Sequence, residues 1–461
     1  MKKIVLLMMA VGVLGIHSSV CYAATSPVSG EEFKGDHVMA ATKRQSSTQE
    51  TPAALALSLS EAQEYAVKQN RSLRNASLAV QEAYAQRWQT IAAMLPTADA
   101  SWGYTSYCGY KATMSMMGSE VQISMPDYSS FGVTAAIGVN GQGVVGAVLN
   151  TLAIDMQKIA LEKNETELRA SVKSSYVSVL VLQDIVALLD SSLRNVQELA
   201  DMTQRSVDIG VAEQTTADQV RVRVNTIKNN INQQKRSIEL ATSSLKVLLD
   251  VPVETELTLT TGLDNMLSAE AVLTLLGEQF NIHNNLNYQT LEKNTKIAET
   301  NVHMAAWAYG PTVSLAYQYT NQHYYQEGGF RMTPPNLVSL TVKMPLWSSG
   351  KRAAGVVEKK IALEKARNTF EETADNLYIQ ERQLRYNLQN AFETYMNEKE
   401  NMQVAGRVFN STTNKFKYGT SSNLELVNAS NDLLTAQSTY VQAVMSLVNA
   451  EVELDKFLNN K

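Results

Sequence analysis

The chain is poor in the residues that build reactive sites. It has two cysteines, Cys21 and Cys108, in 461 residues, too few for a disulfide framework. Its five histidines, His17, His37, His283, His303 and His323, are scattered. None stands at metal-ligand spacing with a partner carboxylate or thiolate, and no nucleophile sits with a recognisable base. The reading is therefore of a protein that is not an enzyme and takes no metal and no cofactor. The net charge of −5 is mild and no basic stripe occurs, which argues against nucleic acid. Beyond the N-terminus no run of about 18 apolar residues appears, so no transmembrane helix is expected.

The N-terminus is different. Met1-Lys2-Lys3, the apolar run Ile4 to Ile16 and the small-residue site Cys21-Tyr22-Ala23 read as a secretory signal peptide over residues 1–23. A lipid-modified Cys21 is the alternative, although Ser18-Ser19-Val20-Cys21 is a poor match to the Leu-Ala-Gly-Cys pattern of lipoproteins. Residues 24–56 are polar and read as a flexible tail.

Proline and glycine are sparse, and they punctuate long helical stretches. A short helix from Leu59 ends near Asn70. A second runs from Arg71 to Leu95 and stops before Pro96, as residues preceding proline tend to do. Strands follow at Ala98 to Tyr110 and Tyr128 to Val139, with a loop from Ala112 to Asp127 between them. A helix of about 64 residues, roughly 96 Å, spans Gly146 to Ile209. Gly210 stops it, and a return helix covers Thr215 to Leu249. The second half repeats the plan with helices at Ser268 to His283 and Leu286 to Tyr309, then Pro311. Strands at Thr312 to Tyr325 and Leu337 to Leu346 come next. A helix from Lys351 to Tyr418 ends at Gly419, and a return helix runs from Asn423 to Asn459. Asn70 to Asn285 is the same distance as Pro96 to Pro311. The chain thus reads as internally duplicated. The first repeat is 57–262 with its strand pair at 98–139, and the second is 263–461 with its strand pair at 312–346.

The two shorter helices of each half together match the length of their long partner. The simplest packing stacks them end to end beside it. Thin apolar stripes among Thr, Asn, Gln and Ser, as in Asn225 to Leu240, suit a hollow tube one helix thick better than a solid bundle. The strands alternate with period two. Phe131, Val133, Ala135, Ile137 and Val139 oppose Gly132, Thr134 and Gly138; Val338, Leu340, Val342, Met344 and Leu346 oppose Ser339, Thr341 and Lys343. That is the pattern of membrane strands. Trp102, Tyr104, Tyr107, Tyr110, Tyr317, Tyr319, Tyr324 and Tyr325 supply candidates for an aromatic girdle. Four such strands cannot close a barrel, because the smallest spanning barrels have about eight. Open edges in lipid are costly, so several chains must share one barrel.

Gly141-Gln142-Gly143-Val144-Val145-Gly146 matches the dinucleotide fingerprint. No short helix and parallel strand follow it, so the motif is rejected. The glycines are read instead as letting a tilted strand swing into a helix. The junction residues are then Pro96 and Gly146 in the first half, Pro311 and Gly350 in the second.

From Leu57 to Leu458 the chain resembles the TolC family of outer-membrane efflux proteins. The residues that carry the likeness are Leu59-Ser60-Glu61-Ala62, Asn70-Arg71-Ser72-Leu73, Ala93-Met94-Leu95-Pro96, Pro345-Leu346-Trp347-Ser348-Ser349-Gly350, Phe416-Lys417-Tyr418-Gly419 and Leu433-Leu434-Thr435-Ala436-Gln437. The resemblance implies an α+β membrane protein: a homotrimer with a twelve-stranded β-barrel in outer-membrane lipid, four strands per chain, continued by a long α-helical barrel in the periplasm. It implies a periplasmic adaptor and an inner-membrane RND or ABC pump as partners. It also implies closure near the turn glycines Gly210 and Gly419, with acidic residues after the second turn. Glu425 falls on the first such position; Asn428 departs from the pattern at the second. Thr216, Asp218, Arg221 and Arg223 follow the first turn, and a Glu425 ring restrained by Arg221 or Arg223 is expected. An efflux conduit, the exit duct of a type I protein secretion system, and a non-conducting surface protein are the functions in play.

Overall fold

The computed structural model describes residues 54–116, 119–263, 268–325 and 334–458. The expected signal peptide, Cys21 and the tail up to residue 53 lie outside the described residues. In chain order the elements are β1 (Ala54–Leu57), α1 (Leu59–Gln69), α2 (Arg71–Ala92), β2 (Thr97–Thr105), β3 (Lys111–Met116), β4 (Ser119–Ser124), β5 (Tyr128–Asn140), α3 (Gly141–Asp208) and α4 (Gln214–Leu248). Then come β6 (Glu256–Leu259), α5 (Ala269–Gly277), α6 (Leu286–Ala306), β7 (Thr312–Tyr324), β8 (Asn336–Lys343), α7 (Lys351–Lys417) and α8 (Asn423–Leu458). Short 3₁₀ turns lead into α6 and follow it.

The long helices are 68 and 67 residues, each about 100 Å. They are built as coiled-coil seams rather than as broad amphipathic faces. In the first half of α4 the buried positions are Ala217, Val220, Val224, Ile227 and Ile231. They alternate steps of three and four residues, the heptad rule for a narrow apolar stripe. A buried Val, Leu or Ile contributes about 1.5–3 kcal/mol, so a seam this thin still holds through length. An 18-residue window in α3 reaches a mean hydropathy of 1.5 and 44% of it is buried. By length and composition alone α3 could cross a membrane, although polar residues interrupt its apolar stretch throughout. Val177, Val179, Val181, Ile185 and Leu189 of α3 are all buried.

The end-to-end stacking has a visible fastener in each half. Asn70 caps α2 by accepting from the Ser72 and Leu73 N–H groups at 2.8 and 3.2 Å, and its Nδ2 donates to the Leu248 carbonyl of α4 at 2.9 Å. Asn285 does the same for α6. It accepts from Asn287 and Tyr288, and its Nδ2 donates to the Phe457 carbonyl of α8 at 2.9 Å. One side chain satisfies free N–H groups of one helix and a terminal carbonyl of the next.

One antiparallel sheet runs in the order β2-β5-β7-β8. The two strand pairs are thus fused through β5 and β7. Register places Val139 opposite Val313 and Val313 opposite Val342; Ile137, Leu315 and Leu340 align in the same way. Ala100 pairs with Val133 and Trp102 with Phe131 on that face. The other face carries Ser101, Gly132, Thr134, Gly138, Ser314, Gln318, Thr320 and Thr341. Val338 and Leu340 are each 68% exposed, so among the described residues nothing covers this end of the apolar face.

Several boundaries differ from the sequence reading. The helix α3 begins at Gly141, because Asn140 caps it by accepting from the Gly143 N–H at 2.7 Å. Gly146 is therefore inside the helix, not at the junction. The strand β2 stops at Thr105, ahead of the left-handed pair Cys108 and Gly109. The expected loop Ala112 to Asp127 contains the β3–β4 hairpin. Residues 278–281 are not helical, and Arg385 closes the C-terminus of α5 by donating to the carbonyls of Leu276 and Glu278. The last strand ends at Lys343, shortly before Pro345, which has no N–H to give a ladder. Ala54–Leu57, of which residues 54–56 fall in the expected tail, forms a parallel pair with Glu256–Leu259. Buried Tyr176 locks that pair, donating to the Leu57 carbonyl and accepting from the Thr261 N–H, both at 3.0 Å.

Candidate functional site: the helix-hairpin turns

Both hairpins turn in the same way. Gly210 has φ 77° and Gly419 has φ 71°, left-handed values that an L side chain adopts only with strain. After α3, Val211 N–H donates to the Ser206 carbonyl and Gly210 N–H to Val207, each at 2.8 Å. After α7, Thr420 N–H donates to Lys415 at 2.9 Å and Gly419 N–H to Phe416 at 3.0 Å. This pair of bonds is the Schellman stop, which satisfies carbonyls the helix leaves free.

The returning helices then diverge. No side chain caps α4 at Glu213. Thr216 is half-buried, whereas Asp218 and Arg221 are exposed; Asp218 accepts from Gln214 at 3.2 Å. At the start of α8, Glu425 N–H donates to Ser422 Oγ and Ser422 N–H donates to the Glu425 carboxylate, both at 3.2 Å. That reciprocal pair is a capping box. The Ser421 hydroxyl also donates to Glu425. The Ser421 hydroxyl first, then the Ser422 N–H, hold the Glu425 carboxyl below the ordinary glutamate range. Glu425 and Asn428 are exposed on one face, three residues apart.

The expected pairing of Glu425 with Arg221 or Arg223 is not the one found within the chain. Arg223 Nη1 donates to Asn431 Oδ1 at 2.8 Å. This bond ties α4 of the first hairpin to α8 of the second. A second tie joins α7 to α3, Lys417 Nζ to Glu198 at 3.1 Å. Sequence reasoning missed Asn431 and Glu198 because each lies about two hundred residues from its partner. The capping box was legible as Ser-x-x-Glu at Ser422 to Glu425.

At the strand ends, Pro96 and Pro311 stand directly before β2 and β7. Gly350 caps α7 with φ 82°. Gly141 has a different reason to be glycine: a Cβ there would lie 2.1 Å from the Trp307 ring. Likewise a Cβ on Gly143 would lie 2.9 Å from Met94 Sδ. Among the described residues no group of histidine, cysteine and carboxylate side chains is arranged to hold a metal.

A four-stranded sheet with one apolar face, bearing two helical hairpins that each turn through a left-handed glycine, is the architecture this chain shares with outer-membrane efflux channels. The model of the outer membrane efflux protein family matches residues 63–250 and 282–460, and this chain belongs to that family. It is 25% identical over 407 residues to the probable efflux pump outer membrane protein TtgC of Pseudomonas putida, covering 84% of this chain and 80% of the relative. The antibiotic efflux pump outer membrane protein ArpC of Pseudomonas putida matches to the same extent. Among solved structures, CusC superposes with a TM-score of 0.69 at 16% identity, over 87% of this chain and 92% of that one. VceC of Vibrio cholerae does so with 0.67 at 14% identity, over 87% and 96%.

Proposed function

We propose that the chain is the outer-membrane exit duct of a tripartite efflux system. Three copies join edge to edge, β2 of one chain to β8 of the next, and close a twelve-stranded barrel. Among the described residues the outer edges of both strands have no partner strand, which supports this reading, because each open backbone group in lipid costs several kcal/mol. The exposed apolar face meets lipid and the Gly, Ser and Thr face lines water. The helices continue the lumen as a periplasmic tunnel, whose far end meets an adaptor and, through it, an RND or ABC pump. The channel is passive and needs no cofactor.

The single observation that carries the proposal is the family match over both halves of the chain. The efflux names of the curated relatives favour efflux over protein secretion. We place the aperture at the turn end, with Glu425 and Asn428 of three chains facing one another and Thr216, Asp218 and Arg221 around them. The Arg223–Asn431 and Lys417–Glu198 ties hold the two hairpins of each chain together there. The test is single-channel current from the purified protein in a planar bilayer, where discrete steps are expected. A correctly inserted oligomer with no steps, even with Arg223 or Glu425 replaced by Ala, would overturn the reading.

A further inference from the structure

The polar face of the sheet is built largely from small residues on β2 and β5, with Gln318 and Gln322 of β7 as larger side chains. Ser101, Gly103, Ser130, Gly132, Gly138, Ser314 and Ala316 all lie on it. At the end far from the helices it changes. Tyr128 and Tyr324 stand opposite each other in register, with ring centroids 5.6 Å apart. The Tyr107 ring lies 6.4 Å from Tyr128 and is 37% exposed. Tyr324 is oriented by donating its hydroxyl to Gln322 Oε1 at 2.9 Å. Alternation separates Tyr128 and Tyr324 from Trp102, Tyr104, Tyr317 and Tyr319, which belong to the apolar face, and Tyr107, beyond the end of β2, joins the pair through its ring contact with Tyr128. Tyr324 is therefore not part of the outward girdle. Beside the trio sits Asp127. Its carboxylate accepts from the Tyr107 N–H at 2.9 Å and from the Tyr104 hydroxyl at 3.3 Å.

We propose that Tyr107, Tyr128 and Tyr324 form an aromatic collar in the outer mouth of the channel that binds organic cations. The inference rests on the exit-duct reading, since barrel closure is what turns this face into a lumen. Aromatic faces attract quaternary and planar cations through the ring quadrupole, and the nearby Asp127 carboxylate adds charge of the right sign. Three chains repeat the trio around the exit. The collar is a specificity element: solutes that lack charge or a flat apolar surface pass it without a stop.

The experiment uses the full purified oligomer and tetraphenylphosphonium as probe. Calorimetric titration measures binding, and single-channel recording measures block from the side facing the strand ends. Wild type should bind and be blocked. Tyr324→Leu should weaken binding about tenfold, whereas Tyr324→Phe should stay within about twofold, because the ring and not the hydroxyl attracts the cation. Tyr107→Leu lies outside the strands and should also weaken binding, which covers the case that Tyr324→Leu fails to assemble. A conducting wild type without binding, Leu variants that bind as wild type does, or equal binding of neutral triphenylphosphine oxide would each overturn the collar. Absence of current with binding retained would break the exit-duct reading instead, and with it the collar's part in transport.

Discussion

The two repeats solve one problem with the same residue and another with different ones. At the joint between stacked helices both use asparagine, Asn70 and Asn285, each bonded to a carbonyl of the return helix. At the strand-to-helix corner they differ. The first repeat caps α3 with Asn140 and packs Trp307 onto Gly141. The second turns through left-handed Ser349 and Gly350. Arg352 then bonds the Pro345 carbonyl at 2.7 Å and sits 5.0 Å from the Tyr309 ring. The joint is an internal load common to both halves. The corner faces a neighbour that differs: in the fused sheet β5 is interior and β8 is an edge.

The strongest way to break this comparison is at the joints. Asn285 is 3% exposed, and Asn285→Ala is expected to cost about 2–4 kcal/mol by losing a cap and leaving the Phe457 carbonyl unpaired. Asn70 is only half-buried, and Asn70→Ala should cost about 1–2 kcal/mol. Thermal unfolding of the assembled protein checks the order, and equal losses would mean that the two joints do not differ in burial as described. The corners come next. Gly141→Ala should cost about 1–3 kcal/mol through overpacking against Trp307, and Trp307→Leu should recover part of it. Gly350→Ala meets open space and should cost about 1 kcal/mol through backbone strain alone, with no partner able to rescue it.

The smaller effects lie at the turns. Arg223→Ala should raise resting conductance more than Arg221→Ala, because the Asn431 partner of Arg223 lies on the other hairpin. Equal effects would remove the tie from the account. Ser421→Ala should move the Glu425 carboxyl back toward the ordinary glutamate range. The sign follows from the depressed pKa: the charged capping interaction is complete above the ordinary value and is lost as pH falls through the lowered one. Any conductance change on acidification should therefore begin at higher pH in Ser421→Ala than in wild type. Recording across a pH series tests this.

Much of this architecture is legible in the sequence because its signals are local. Period-two alternation marks β5, β7 and β8, thin apolar stripes and glycine stops mark the hairpins, and the matched offsets of Asn70 and Asn285 mark the two helix joints. What was not legible is non-local. The β1–β6 pair joins two four-residue segments across two hundred residues, each too short for a pattern to emerge. The ties Arg223–Asn431 and Lys417–Glu198 depend on how one hairpin lies against another. Gly146 was misplaced because three glycines in six residues obscured the helix start, and the Asn140 cap outweighed their low helix propensity. The capping role of Glu425 is local and legible, because Ser422 stands three residues before it.

The most direct test of the central claim is single-channel current through the wild-type protein and through Arg223→Ala in the same bilayer. The account predicts discrete steps from both, with larger resting conductance in the variant whose hairpins are untied. Correctly inserted oligomers that carry no current in either form would contradict it.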